Sequence, residues 1–230
     1  MKKNIKYLLI LIILNSCISI KNRKNLMNLN TIGSNNQELK LDGYFYQLKK
    51  YETYPYYRNE YGGYQQDTTK KYSQIRILPL TLYSDGSVNS LYSFSGFQDN
   101  HAFNYRIKCS LEDNNTIENA FEHFECYLRN RPENKLFFIN KKAEIWNQGI
   151  YKIEDNKITI QIFYNSIGDY YLYEENGIIL NDTTFVLKKA KDYQTGKEYK
   201  IEKEYHFKKM NNMPKMESYI LKNKKKFNKN

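Results

Sequence analysis

Apolar and polar positions alternate along much of the chain. Phe103, Tyr105, Ile107 and Cys109 fall on one side of an extended segment, and Asn104, Arg106 and Lys108 on the other. Ile158, Ile160, Ile162 and Tyr164 oppose Thr159, Gln161 and Phe163 in the same way. Tyr199, Ile201, Tyr205 and Phe207 oppose Lys200, Glu202, Glu204, His206 and Lys208, with Lys203 interrupting the apolar side. A side-chain period of two predicts β-strands with one face buried. Ile75 and Ile77 are in one phase and Leu80 and Leu82 in the other, so a bulge or a sheet edge is predicted at the intervening Pro79. Ser84-Asp85-Gly86, Glu154-Asp155-Asn156-Lys157 and Glu175-Asn176-Gly177 separate strand-like runs with residues that tolerate the positive φ of tight hairpins. Consecutive hairpins imply an antiparallel meander.

One segment follows a helical period instead. Ile117, Phe121, Phe124 and Leu128 recur at helical spacing after Asn115, a residue suited to an N-cap. Glu118 and Glu122 suit the first half, Arg129 and Arg131 the end, and Pro132 the stop. The pattern predicts one α-helix near 115–130, packed on the sheet by its Phe face.

The N-terminus carries a different signal. Lys2, Lys3 and Lys6 precede an apolar run from Tyr7 to Leu14, followed by Asn15, Ser16 and Cys17. A basic start, a short apolar run and a small residue before the cut describe a secretory signal. The run is far shorter than the roughly 20 apolar residues that span a bilayer. Leu14-Asn15-Ser16-Cys17 resembles a bacterial lipobox, which implies cleavage before Cys17 and thioether lipidation of its sulfur. The residue after the cysteine is Ile18 rather than the Asp associated with inner-membrane retention, which favours the outer membrane. The acidic residues of a surface-export signal are missing, which favours its periplasmic face.

Four segments follow from these patterns: a signal peptide over 1–16, a flexible Asn-rich tether over 17–38, a single β-rich domain over 39–221 and a basic disordered tail over 222–230. A mean hydropathy of −0.79 excludes a multi-span membrane protein. The net charge of +11 first points to a polyanion partner. Its distribution removes that reading: three lysines in 1–16, three bases in 17–24 and five lysines in 222–230 account for the whole excess. Residues 25–221 carry 25 bases and 25 acids, whereas a nucleic-acid binder shows its basic patch on the fold. No nucleic-acid partner is expected.

Several motifs in order carry a family resemblance. Leu41-Asp42-Gly43-Tyr44-Phe45-Tyr46 opens the domain, and Leu82-Tyr83-Ser84-Asp85-Gly86 forms an aromatic hairpin. Trp146 to Asn156 reads W-x-x-G-x-Y-x-I-x-x-N, and Gly177 to Phe185 and Tyr205-His206-Phe207 follow. Together they resemble the small uncharacterised lipoproteins of Flavobacterium-type Bacteroidota, over about residues 39 to 220. The resemblance implies a mainly β fold, an antiparallel meander curled towards a lipocalin-like barrel. It brings no assigned activity. The usual Trp-Gly pair is split here by Asn147 and Gln148, so a bulge or altered turn is expected.

Catalytic signatures are missing. There is no G-x-S-x-G, H-E-x-x-H, Walker loop or C-x-x-C, and the chain has three histidines, His101, His123 and His206. Neither an enzyme, nor a cofactor, nor a metal site is expected. Cys109 and Cys126 form either a disulfide or a small core residue and a free thiol. The opposite faces they occupy favour the second. Tyrosine is abundant, at 23 residues, and Tyr54, Tyr57 and Tyr61 lie in a crowded stretch suited either to recognition or to covering the sheet. The expected function is a monomeric, non-catalytic binding module on membrane lipid through Cys17. Trp146, Tyr151, Ile158, Ile160 and Ile162 would border a cavity for a small apolar ligand. The alternative is a protein-interaction or immunity-type lipoprotein acting through the Tyr-rich surface.

Overall fold

A computed structural model describes residues 19–34, 39–54, 56–58, 60–61, 64–91, 93–96, 114–130, 145–214 and 217–227. In chain order the strands are β1 (Gly33–Ser34), β2 (Gly43–Thr53), β3 (Tyr56–Arg58), β4 (Tyr64–Gln66), β5 (Tyr72–Leu82) and β6 (Ser87–Ser90). Then come β7 (Phe94–Ser95), β8 (Gln148–Glu154), β9 (Lys157–Ser166), β10 (Asp169–Asn181), β11 (Thr184–Asp192) and β12 (Glu198–Lys209). The helices are α1 (Ile117–Asn130), α2 (Tyr219–Lys222) and α3 (Lys224–Phe227), with a 3₁₀ turn at Arg23–Asn25.

Strands β2, β5, β6, β8, β9, β10, β11 and β12 pair antiparallel in that order, and β12 pairs back with β2. The meander is therefore a closed eight-strand barrel of lipocalin-like form, which leaves no open edge in the ring. Strand β1 pairs in parallel with Lys152 and Ile153 of β8, beyond the residues that pair with β6, and β3 and β4 form a separate hairpin in the β2–β5 connection.

Three apolar clusters explain the sequence pattern. The first fills the barrel and includes Phe45, Leu80, Leu82, Tyr151, Ile158, Ile160, Phe185, Leu187 and Tyr205. The second lies outside β8–β10, where Phe163, Tyr170 and Leu172 meet Leu26, Leu29, Tyr219, Ile220 and Phe227. In the third, helix α1 lays Ala120, Phe124 and Leu128 over Tyr44 and Ile77. Many strands are thus buried on both faces, where period two predicts burial on one.

That double burial accounts for the departures from expectation. Pro79 causes no bulge: β2 and β5 stay in register from Phe45↔Leu80 to Thr53↔Tyr72. Ile77 faces the helix while Leu80 faces the barrel interior, so the apparent slip is a change of which face is apolar. Pro79 falls between the β5 residues that pair with β7 and those that pair with β6, where its missing N–H leaves no partner unmet. Glu175-Asn176-Gly177 is not a turn but the middle of β10, with a register shift at Gly177. A Cβ there would lie 2.1 Å from the Val186 carbonyl oxygen, so the glycine serves close strand approach. The Ser84–Gly86 and Asp155–Asn156 hairpins are found as expected, and the turn before β8 carries Asn147 at φ 60°.

Helix α1 forms where its period predicts, yet Thr116 caps it, accepting from Asn119 N at 3.2 Å. Asn115 instead clips the helix start to β5, accepting from Ile75 N at 2.9 Å and donating to Ser73 O at 2.6 Å. Cys126 is buried and disulfide-bonded rather than a free thiol. The other two cysteines, Cys17 and Cys109, lie outside the described residues, as does the strand expected over 103–109.

The two expected flexible ends are folded where they are described. Residues 19–34, assigned to the tether, run along the outside of β8–β10 and bury Leu26 and Leu29. The tail expected from Lys222 carries α3, whose Phe227 is buried 6.0 Å from Phe163, ring to ring. Phe163 belonged to the polar side of its strand by period alone. These terminal segments cover it.

Candidate functional site

The two ends of the barrel differ. At one end Phe185 stacks on Tyr205 at 5.0 Å and meets Phe45 at 5.0 Å, and Phe45 meets Phe207 at 5.4 Å. Leu39 packs beneath them. Tyr151, Ile158 and Ile160 point into this end with exposures of 1%, 0% and 1%, so the floor of the barrel is packed around them. The Tyr151 hydroxyl is satisfied by donating to the Tyr83 carbonyl at 2.9 Å.

Towards the other end, inward side chains become partly exposed and polar. Pairings Ile160↔Glu175, Ile162↔Tyr173 and Tyr164↔Tyr171 build one wall. Leu187↔Lys203, Ala190↔Tyr199 and Tyr173↔Asp192 continue the inward row. Above the aromatic floor Lys203 Nζ donates to Glu175 Oε1, with side-chain exposures of 28% and 7%. The Tyr164 hydroxyl lies 2.9 Å from Asp192 Oδ1 and 2.8 Å from Gln194 Oε1. Gln47, two residues beyond Phe45 on the inward face of β2, has a buried Oε1 with no hydrogen-bond partner. Among the described residues the result is a cup whose inward side chains are partly exposed, with a packed aromatic floor, a charged pair just above it and tyrosine walls.

Burial and charge raise the phenols of this cup. Burial first, then Glu175, Asp192 and Tyr199, push Tyr173 up to about 12. Burial and the Asp192 hydrogen bond push Tyr164 above the ordinary tyrosine range, and burial and Glu175 do the same to Tyr205. A phenol whose folded pKa exceeds its unfolded value of 10.0 holds its proton longer in the fold. Its contribution is therefore complete below that value and is lost as pH rises through the folded pKa. Urea midpoints are expected to fall between about pH 10 and pH 12, and phenolate absorbance of the native protein to rise late compared with the unfolded chain. A midpoint constant across that range would contradict the burial of these groups.

Of the residues singled out from sequence, Tyr151, Ile158, Ile160 and Ile162 share the barrel interior. Ile162 reaches the cup and the other three belong to its packed floor. Trp146 does not join them; it packs outside the barrel with Ile145, Ile150 and Phe163. Tyr54 follows β2 at the cup end, Tyr57 lies on β3, and Tyr61, 95% exposed, sits between β3 and β4. Cys17 is outside the described residues. None of Glu175, Lys203, Tyr173 and Asp192 is among the candidate site residues read from the sequence. Lys203 had a signal, since a cation that interrupts an apolar strand face marks a charge pointing inward. Glu175 was masked by its turn-like neighbours Asn176 and Gly177.

Comparison with known proteins adds no relative. No protein-family model matches the chain, and neither a curated protein nor a solved structure matches it.

Proposed function

We propose that this protein is a lipoprotein anchored through Cys17 to the periplasmic face of the outer membrane. Its barrel acts as a non-catalytic binding module for a small ligand held in the cup. The lipobox-like N-terminus and the resemblance to small flavobacterial lipoproteins support the anchor. The observation that carries the binding reading is the Glu175–Lys203 pair, set inside the barrel beneath a partly exposed tyrosine wall. A buried ion pair contributes little stability that apolar residues would not match, so recognition is a reason for it to stand there. The packed floor moves the ligand from the deep apolar interior to the upper, amphipathic half, and Gln47 offers an unmet acceptor. The ligand that fits is therefore small and amphipathic, with a polar group for the charged pair and a flat apolar part for the tyrosines.

Mass spectrometry of the protein extracted from its own membrane in mild detergent tests both halves. The denatured spectrum is expected to show acyl chains on Cys17, and the native spectrum a non-covalent adduct. Ile162→Trp, which fills the cup, is expected to remove the adduct while the protein stays folded. An adduct unaffected by Ile162→Trp, or none at all, would refute the cup as the site. The exposed Tyr61 favours a second reading, a protein-interaction lipoprotein acting through the β3–β4 hairpin. A stoichiometric protein partner lost on Tyr61→Ala, without any small-molecule adduct, would favour that reading.

A further inference from the structure

The lipid anchor, if placed at Cys17 as proposed above, leaves little slack. Ser19 is already fixed to the barrel: its N and its Oγ donate to Asp169 Oδ1 at 2.9 and 2.7 Å. Tyr170 N donates to the Ser19 carbonyl at 2.9 Å, and Lys21 N to the Tyr170 carbonyl at 2.7 Å. Two residues of extended chain span at most roughly 7 Å, so Cys17 lies within that reach of Ser19. Asp169 begins β10 at the rim of the cup, one residue pair beyond Tyr170. A short link at this point holds the rim, not the packed floor, against the bilayer.

The turn beside the attachment point is built against its own fold preference. Ser166 and Asp169 pair across a two-residue turn in which Ile167 has φ 51° and Gly168 φ 85°. Asn, Asp or Gly occupy such positions at least cost, and a β-branched residue at positive φ is an outlier. The corresponding hairpin at the floor end follows that rule, with Asp155 at φ 54°. Ile167 is also fully exposed. Neither backbone nor core gains from isoleucine here, and strain of this kind points to a use outside the fold.

Charge gives the third observation. Arg23 and Lys24 lie on the segment that leaves Ser19, and Lys224, Lys225 and Lys226 form most of α3. Both elements pack into the same outer cluster, through Leu26 and Phe227. All five cations are exposed, and among the described residues none has a carboxylate partner within ion-pair distance. Lys21 and Lys222 beside them are paired, with Asp169 and Glu217. An unpaired basic flank on the outer face of the two strands that an exposed apolar tip joins is a surface that suits an anionic leaflet.

We propose that the β9–β10 turn inserts Ile167 into the headgroup layer of the leaflet that carries the anchor. Arg23, Lys24 and Lys224–Lys226 then face lipid phosphates, and the cup opens at the lipid surface. The proposal rests on the anchoring reading. It is tested with the acylated protein in vesicles containing phosphatidylglycerol and brominated phosphatidylcholine. In a Trp146→Phe background, which removes the single tryptophan, Ile167→Trp reports the rim and Lys157→Trp the floor end. Bromine quenching is expected to be at least about twofold stronger for Ile167→Trp, and to fall when Lys224, Lys225 and Lys226 are all changed to Gln. Hydrogen exchange of the unsubstituted protein serves as a second readout, with residues 164–171 expected to be slower on these vesicles than in detergent. Equal quenching at the two ends, or unchanged exchange, would overturn the orientation while the acyl mass on Cys17 keeps the anchor. A protein without that mass would overturn the anchor itself, and the orientation with it.

Discussion

Lys203→Met is expected to destabilise the barrel by about 3 kcal/mol, because it leaves the Glu175 carboxylate buried without its cation. The Glu175 side chain is 7% exposed and sits between the ladders to β9 and β11, so water cannot replace the lost ammonium. The opposite deletion is expected to cost less. Lys203 is 28% exposed and its long stem lets the ammonium move towards the solvent in the cup, so Glu175→Gln should cost about 1 kcal/mol. Replacing both, by Glu175→Leu with Lys203→Met, should return the protein close to its original stability, since an apolar pair of similar volume needs no charge compensation. For a chain of this size the single Lys203→Met change corresponds to a fall in Tm of roughly 6–12 °C. Urea and thermal unfolding of the four proteins check the pattern. If the double replacement restores stability but abolishes the adduct seen by native mass spectrometry, the pair serves recognition rather than folding. Equal losses for the two single changes would instead place both charges in the same environment, against the asymmetry of their burial.

This pair shows what was and was not legible in the sequence. The barrel was readable because each inward apolar side chain recurs at every second position, as in Ile158, Ile160 and Ile162. Helix α1 was readable because Phe121, Phe124 and Leu128 follow a different period. What period two could not show is that the outward face of a strand is also covered. Phe163 and Gln161 read as the polar side of β9, yet segments from the two ends of the chain, distant in sequence, bury both. The same limit applies to the cup. Glu175 and Lys203 are 28 residues apart and meet only because β11 lies between their strands and brings both to the interior. A local pattern contains no term for such a meeting, and an inward charge then reads as an interruption. Asn and Gly mark turns in most sequences, and at Asn176-Gly177 they mark a bulge and a close strand approach instead.

The covered outer face leads to the second large effect. A polar, Asn-rich stretch without a period reads as a leash, yet Leu26 is 1% exposed against Phe163, Tyr170 and Leu172. The backbone around it is held by one side chain: Met27 N donates to Gln161 Oε1 at 2.6 Å, and Gln161 Nε2 donates to the Asn25 carbonyl at 3.1 Å. Gln161 Nε2 also donates to Glu174 Oε2 at 2.6 Å, so one glutamine joins the strap to two barrel strands. Leu26→Ala is therefore expected to cost about 2–4 kcal/mol, the range for deleting a fully buried leucine, where the same change in a loose tether would cost less than about 0.5 kcal/mol. The strap should also open locally before the barrel does, because among the described residues its only strand pairing is the two-residue β1, whereas each barrel strand pairs on both sides. Trypsin reads this directly at Arg23 and Lys24, which are exposed but sit in a 3₁₀ turn fastened at both sides. Cleavage there is expected to be slow in the native protein and many times faster in Leu26→Ala, under conditions where the barrel stays intact. The consequence reaches the membrane. A fastened strap transmits the position of the anchor to the rim of the cup, whereas an opened strap lets the barrel drift from the bilayer on a longer leash. Leu26→Ala should then weaken bromine quenching at Ile167→Trp although it lies on a different element from the turn. An unchanged unfolding midpoint and equally rapid cleavage of both proteins would mean that the strap is loose, and the rim would have no fixed relation to the lipid.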